Sequence, residues 1–133
     1  MTARVLVIED HPPSLDLVRY LLVATGYEAL VAEDGLSGLA LAEAESPDLV
    51  ICDIQMPGLD GYQVLARLRA NPRLASIPVV AVTAFSMVGD RRRILEAGFE
   101  GYIPKPIIPE AFVAQVTAYL PPERRIPVPG AGG

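Results

Sequence analysis

Four places in this 133-residue chain set a polar or charged group at the end of a short apolar run. Val5-Leu6-Val7-Ile8 stops at Glu9-Asp10, and Leu49-Val50-Ile51-Cys52 stops at Asp53. The run from Ile77 ends at Thr83, and the short stretch Gly101 to Ile103 leads into Lys105-Pro106. Two carboxylates about 4 Å apart repel by about 4 kcal/mol at an effective dielectric of about 20, so three together raise a pKa or gather a cation. All-oxygen ligands beside water-accessible loops suit Mg²⁺, with Mn²⁺ as its substitute, because Mg²⁺ keeps several waters and takes one or two protein carboxylates. With that cation in place Asp53 approaches a phosphate instead of repelling it. Lys105 adds a second positive charge and Thr83 a hydrogen-bond donor. Cation, amine and positioned nucleophile are what phosphoryl transfer requires, so Asp53 is the expected phosphoryl acceptor.

This chemistry needs the four run ends to meet, and the elements between them say how. Continuous apolar, β-branched runs are the pattern of strands buried on both faces. Pro12 and Pro13 suit the first turn of a helix carrying Leu15, Val18, Tyr20, Leu21 and Leu22, with Gly26 as its stop. Tyr27 to Ala32 reads as a second strand, and Asp34 as the N-cap of a helix from about 35 to 45 with Leu36, Leu39 and Ala40 inward. Asp60-x-x-Gln63 matches a capping box before Val64, Leu65 and Leu68. Ser86 is a candidate cap for a helix with Ile94 and Leu95 that halts at Gly98. Pro109 opens a last helix with Phe112, Val113, Val116, Tyr119 and Leu120 at helical spacing. Two helix exits, Thr25 to Val31 and Ala97 to Ile103, both read Gly, aromatic, Glu, strand, which is shared turn chemistry and not a repeat. Strands alternating with helices predict an α/β fold, a doubly wound five-stranded parallel sheet. In such sheets the ligand site lies at the carboxyl ends of the strands, which brings Glu9, Asp10, Asp53, Thr83 and Lys105 to one edge.

Bulk properties agree. A chain of this length forms one domain without metal or disulfide staples. Residues 1–121 read as that domain, and 122–133 as a flexible tail after Pro121-Pro122. A hydrophobic content of 51% with 20% charge excludes a disordered chain. No apolar run reaches the roughly 20 residues of a membrane span, and no secretion signal opens the chain. The lone cysteine, Cys52, fits a reducing cytoplasm and, by alternation, points away from wherever Asp53 points. A net charge of −5 argues against broad binding to nucleic acid or anionic membrane.

On four motifs the chain resembles a two-component response-regulator receiver domain, of the chemotaxis-regulator-like, single-domain kind, over about residues 3–120. They are VLVIED at the first strand, PDLVICDIQMPGLDG around Asp53, VVAVTAF at the fourth strand and GYIPKP at the fifth. The segment VTAFSMVGD is also similar to that of small regulators without an output domain. The resemblance implies a flavodoxin-like (βα)5 fold with strand order 2-1-3-4-5. It implies that Asp53 takes a phosphoryl group from a phosphohistidine on a sensor histidine kinase or a histidine phosphotransfer protein. Asp10 would hold Mg²⁺ with Asp53 and the backbone carbonyl of Gln55, and Glu9 would do so directly or through water. Thr83, Ala84 and Lys105 would meet the phosphoryl group, Tyr102 would swing inward behind Thr83, and Lys105-Pro106 would be a cis bond. The face formed by helix 4, strand 5 and helix 5 would then shift population toward binding a downstream protein effector. A cytoplasmic monomer able to dimerise through that face is implied, with no enzymatic turnover beyond slow self-phosphorylation and self-dephosphorylation.

Plainer readings stand beside these. Asp53 also fits a turn aspartate, Glu9-Asp10 a solvated helix start, Lys105 a surface lysine and Tyr102 simple packing. His11 reads as a loop residue flanking the site, and Arg91-Arg92-Arg93 as a solvated helix face or a dock for an acidic partner. A flavin carrier of flavodoxin type needs a phosphate loop where this chain has Glu9-Asp10-His11. A haloacid-dehalogenase-type phosphatase typically needs a second Asp where Gln55 stands. A degenerate receiver serving as a scaffold would not need the full set. No dinucleotide or Walker motif is present.

Overall fold

The computed structural model describes residues 2–84 and 88–125, and of 88–90 the backbone alone. Ser86, the expected cap of the fourth helix, and residues 126–133 of the expected tail lie outside the described residues. Five strands, β1 (Arg4–Ile8), β2 (Glu28–Ala32), β3 (Leu49–Asp53), β4 (Val79–Thr83) and β5 (Gly101–Pro104), alternate with five helices. The helices are α1 (Pro12–Thr25), α2 (Gly35–Glu45), α3 (Gly61–Ala70), α4 (Val88–Ala97) and α5 (Pro109–Tyr119). Every strand pair is parallel and the order is β2-β1-β3-β4-β5, the flavodoxin-like arrangement.

The apolar runs do not alternate because helices cover both faces of the sheet; β3 and β4 are buried at every position. Alternation instead sorts side chains between two cores. Leu6, Ile8, Val50, Cys52, Val79 and Ala81 pack with Val64, Leu65 and Leu68 of α3 and Ile94 of α4. Val5, Val7, Leu49, Ile51, Val80 and Val82 pack with Leu15, Val18 and Leu22 of α1 and Phe112, Val116 and Leu120 of α5. Cys52 belongs to the first core, so Asp53, next in the strand, turns to the α1 side.

Local signals account for most helix boundaries. Asp34 caps α2 by accepting from the Ser37 N–H at 2.7 Å. The capping box at α3 is complete, with Asp60 and Gln63 each accepting from the other's backbone at 2.9 Å. Gly26 and Gly98 end their helices at φ 106° and 113°. Each exit then places a buried aromatic, Tyr27 or Phe99, and a Glu whose N–H opens the next pairing: Glu28 to Ala3 O and Glu100 to Val79 O, both 2.8 Å.

The α2 face departs from expectation in part: Leu39 packs against the first core, but Leu36 and Ala40 do not. Leu36 is 64% exposed and Ala40 is exposed, while α2 buries Gly35, Gly38 and Ala42. The helix lies so close to β1 that a Cβ on Gly38 would sit 2.4 Å from Ile8 Cδ1, which leaves no room for leucine on that side. The fourth strand also starts at Val79, two residues after the expected Ile77. The first residues of the expected tail are seated: Pro122–Arg124 form a 3-10 turn, and Arg125 donates to the carbonyls of Leu120 and Ala118 at 2.9 and 3.0 Å. An arginine satisfying carbonyls at the end of α5 follows from the orphan acceptors every helix leaves there.

Candidate functional site

The chain leaves β1, crosses outward to β2, then returns to the other side of β1 as β3, so a crevice opens where β1 and β3 end. Glu9 extends β1 by one rung, its N–H donating to Ala32 O at 3.1 Å, and is therefore buried; Asp10 follows and is exposed. Asp53 is the last residue of β3 and 4% exposed. Its Oδ1 accepts from the Gln55 N–H at 3.0 Å. The loop after it is closed by Gly61, whose N–H bonds Ile54 O at 3.0 Å. A Cβ on Gly61 would come within 2.8 Å of Asp53 O, so glycine is what allows α3 to sit against the strand tip.

Ligand atoms of Glu9, Asp10 and Asp53 all lie within 4.8 Å of one another. Lys105 reaches in from β5, with Nζ 3.0 Å from Asp53 Oδ2 and 3.3 Å from Glu9 Oε1. Its backbone N–H is fixed on Thr83 O at 2.8 Å, and its bond to Pro106 is cis. Thr83 is buried at the end of β4, opposite Pro104, and Ala84 is exposed beside it. The structure thus brings Glu9, Asp10, Asp53, Gln55, Thr83, Ala84 and Lys105 to one edge. Tyr102 lies one pleat back in β5, half-buried, with the Arg91 guanidinium 5.5 Å above its ring.

Charge is unbalanced here. Burial, then the neighbouring Asp53 carboxylate, holds the Glu9 carboxyl well above the usual range. Burial alone would lower the Lys105 ammonium, but its contacts with Asp53 and then Glu9 outweigh that and raise it. Glu9 Oε2 is buried with no hydrogen-bond partner among the described residues. An orphaned carboxylate oxygen beside two other acids, in an all-oxygen donor set, fits a hard divalent cation. Lys105 alone cannot neutralise three acids, and a cation at this cluster leaves Asp53 able to face an incoming phosphate.

Some contacts were not legible in advance. His11 is the N-cap residue of α1, and its Nδ1 lies 2.8 Å from Ser14 Oγ. Arg91 and Arg93, expected as a solvated face or a dock for an acidic partner, are exposed and in addition stack on Tyr102 and Tyr62, the latter at 5.0 Å. No spacing in the sequence signals a cation–π pair between separate elements. Among the described residues no helix is long and apolar enough to cross a membrane.

Comparison with known proteins points the same way. The family model described as "Response regulator receiver domain" matches residues 5–117. The polar-differentiation response regulator DivK of Brucella ovis is 42% identical over 120 residues, which is 90% of this chain and 98% of that protein. The chemotaxis protein CheY4 of Vibrio cholerae is similar at TM-score 0.85 and 26% identity, over 90% of this chain and 100% of its own. The receiver domain of a sensor histidine kinase of Pseudomonas aeruginosa, described with a magnesium ion coordinated in the active site cleft, matches at TM-score 0.81 and 28% identity over 90% and 98%.

Proposed function

This chain belongs to the response regulator receiver domain family, the receivers of two-component signalling, and we propose that Asp53 is its phosphoacceptor. The donor is a phosphohistidine on a sensor histidine kinase or a histidine phosphotransfer protein. A carboxylate oxygen of Asp53 forms the bond to phosphorus while the phosphorus–nitrogen bond breaks and the imidazole departs. Mg²⁺, or Mn²⁺ in its stead, would be held by Asp10, Asp53 and the backbone carbonyl of Gln55, with Glu9 direct or through water. When bound, the cation neutralises charge that the acids and the phosphoryl oxygens would otherwise set against each other. The Pseudomonas receiver, described with magnesium in its cleft, supports that assignment.

The chain's own residues divide the rest of the task. The Gln55 N–H orients Asp53 through Oδ1, and Lys105 holds Oδ2 and then follows the transferred phosphoryl oxygens. Thr83 and Ala84 receive the phosphoryl group, and Tyr102 turns inward behind Thr83. The α4–β5–α5 face then favours a downstream protein effector. The receiver unit, residues 1–121, acts in the cytoplasm, its activity limited to taking and slowly losing the phosphoryl group.

One observation carries this reading: from three strand ends, Lys105 contacts Glu9 and Asp53, and ligand atoms of Glu9, Asp10 and Asp53 lie within 4.8 Å of one another. Incubation with Mg²⁺ and acetyl phosphate, followed by intact mass, tests it. One added phosphoryl group is expected in the wild type and none in Asp53→Asn or without a divalent cation. Incorporation into Asp53→Asn would refute the assignment. Lys105→Ala should still be modified yet fail to bind its effector, because the link from phosphate to β5 is cut.

A further inference from the structure

Asp53 opens onto more space than a phosphoryl group fills. Between the sheet and the first half of α1 runs a crevice of about 560 Å³, with Asp53 and Lys105 in its lining. Its walls are Val7 and Val82 from the sheet, Leu17 and Val18 from α1, and Ile107 after β5. Leu17 is 38% exposed, so an apolar side chain stands at the rim of an apolar hollow. The polar rim residues are His11 and Ser14, whose Nδ1 and Oγ lie 2.8 Å apart.

Apolar walls that converge on a few charged groups are the usual make-up of a small-molecule site. The charged groups here are the acceptor carboxylate, the Glu9 carboxyl and the Lys105 ammonium, which touches both acids. What fits is an anionic head at Asp53 and Lys105 joined to an apolar body along Leu17, Val18 and Ile107. Acetyl phosphate has the head but only a methyl group for the walls.

We infer that this crevice takes the apolar body of a small phosphodonor, so that acyl phosphates of aromatic or branched acids serve Asp53 better than acetyl phosphate does. The inference rests on Asp53 being the acceptor. In the step, an Asp53 carboxylate oxygen bonds to phosphorus, the phosphorus–oxygen bond to the acyl group breaks, and the donor leaves as the free carboxylate. Filling an apolar pocket with a few extra carbons is worth roughly ten-fold or more in rate.

The test measures initial rates of phosphoryl incorporation by intact mass, in Mg²⁺, at matched sub-saturating acetyl phosphate and benzoyl phosphate. The wild type is compared with Leu17→Asn and Ile107→Asn, because the variants cancel the donors' intrinsic difference in reactivity. The benzoyl-to-acetyl rate ratio should fall about ten-fold in each variant, with the acetyl phosphate rate unchanged. Equal ratios in all three proteins would overturn the inference while leaving Asp53 as acceptor. Incorporation from neither donor would overturn the acceptor assignment, and the inference with it.

Discussion

The two edges of the sheet both carry ion pairs, and they use them to opposite ends. At the edge where strands begin, Arg4 donates to Glu28 at 2.9 Å and to the side chain and carbonyl of Glu45. Its backbone N–H meets Asp48 Oδ2 at 2.8 Å, and Asp48 also faces Arg124 at 3.7 Å. Each of these acids has a donor, and the groups are partly exposed. At the edge where strands end, two of the three clustered acids share one lysine, and a buried carboxylate oxygen of Glu9 has no hydrogen-bond partner among the described residues. One edge ties strands, a helix and the chain end together; the other leaves an electrostatic deficit for something outside the chain to fill. A deficit of this kind lowers stability, so its presence in a well-packed sheet points to function.

Substitution separates the two most sharply at Asp10. Asp10→Asn should cut phosphoryl incorporation by about 100-fold, the scale expected when one electrostatic partner of a transfer site is lost, while the metal-free unfolding midpoint stays level or rises. Arg4→Ala should leave incorporation intact. If Arg4→Ala slowed incorporation as much as Asp10→Asn, the two edges would not be functionally distinct. Mg²⁺ titration sharpens this. At about 100 times its dissociation constant the cation should stabilise the wild type by about 2.7 kcal/mol, and Arg4→Ala equally, but not Asp10→Asn.

Glu9→Gln comes next in size. The glutamine carbonyl still accepts from Lys105, and its amide replaces the orphaned oxygen beside Asp53 with a donor. The metal-free protein should gain about 1 kcal/mol at neutral pH and lose part of its response to Mg²⁺. The sign with pH follows from the raised Glu9 pKa. The folded protein holds a proton that the unfolded chain releases above the ordinary glutamate value of 4.5, so metal-free stability falls as pH rises above it. Thermal unfolding with a chelator across that range should slope downward in the wild type and less so in Glu9→Gln. Parallel profiles would mean that Glu9 is not strained.

The legible features were those written locally. Strand ends are marked by apolar runs stopping at Glu9, Asp53, Thr83 and Lys105, and helix starts by Asp34 and the Asp60–Gln63 box. Convergence of those ends follows from parallel topology alone. What escaped depends on how closely two elements approach. Leu39 of α2 packs inward as its spacing suggests, but Leu36 does not, because the helix approaches β1 through Gly35 and Gly38, where Ile8 leaves no room for a larger side chain. Lys105 touching Glu9 joins residues 96 positions apart. The Arg91–Tyr102 stack and the crevice beside α1 are likewise set by three-dimensional packing, for which composition and periodicity carry no sign.

The smallest expected effect tests the quiet edge. Arg4 is solvent-facing, and exposed pairs are screened and cost side-chain entropy, so its several contacts add little each. Arg4→Ala should lower the unfolding midpoint only slightly, and raising the salt concentration should shrink the difference from wild type. Salt should do little at the far edge, where Glu9 and Asp53 are buried and poorly screened, so the gap between wild type and Glu9→Gln should persist. A midpoint for Arg4→Ala that drops sharply and ignores salt would mean that the contact to the Glu45 carbonyl, and not charge, ties α2 to β1.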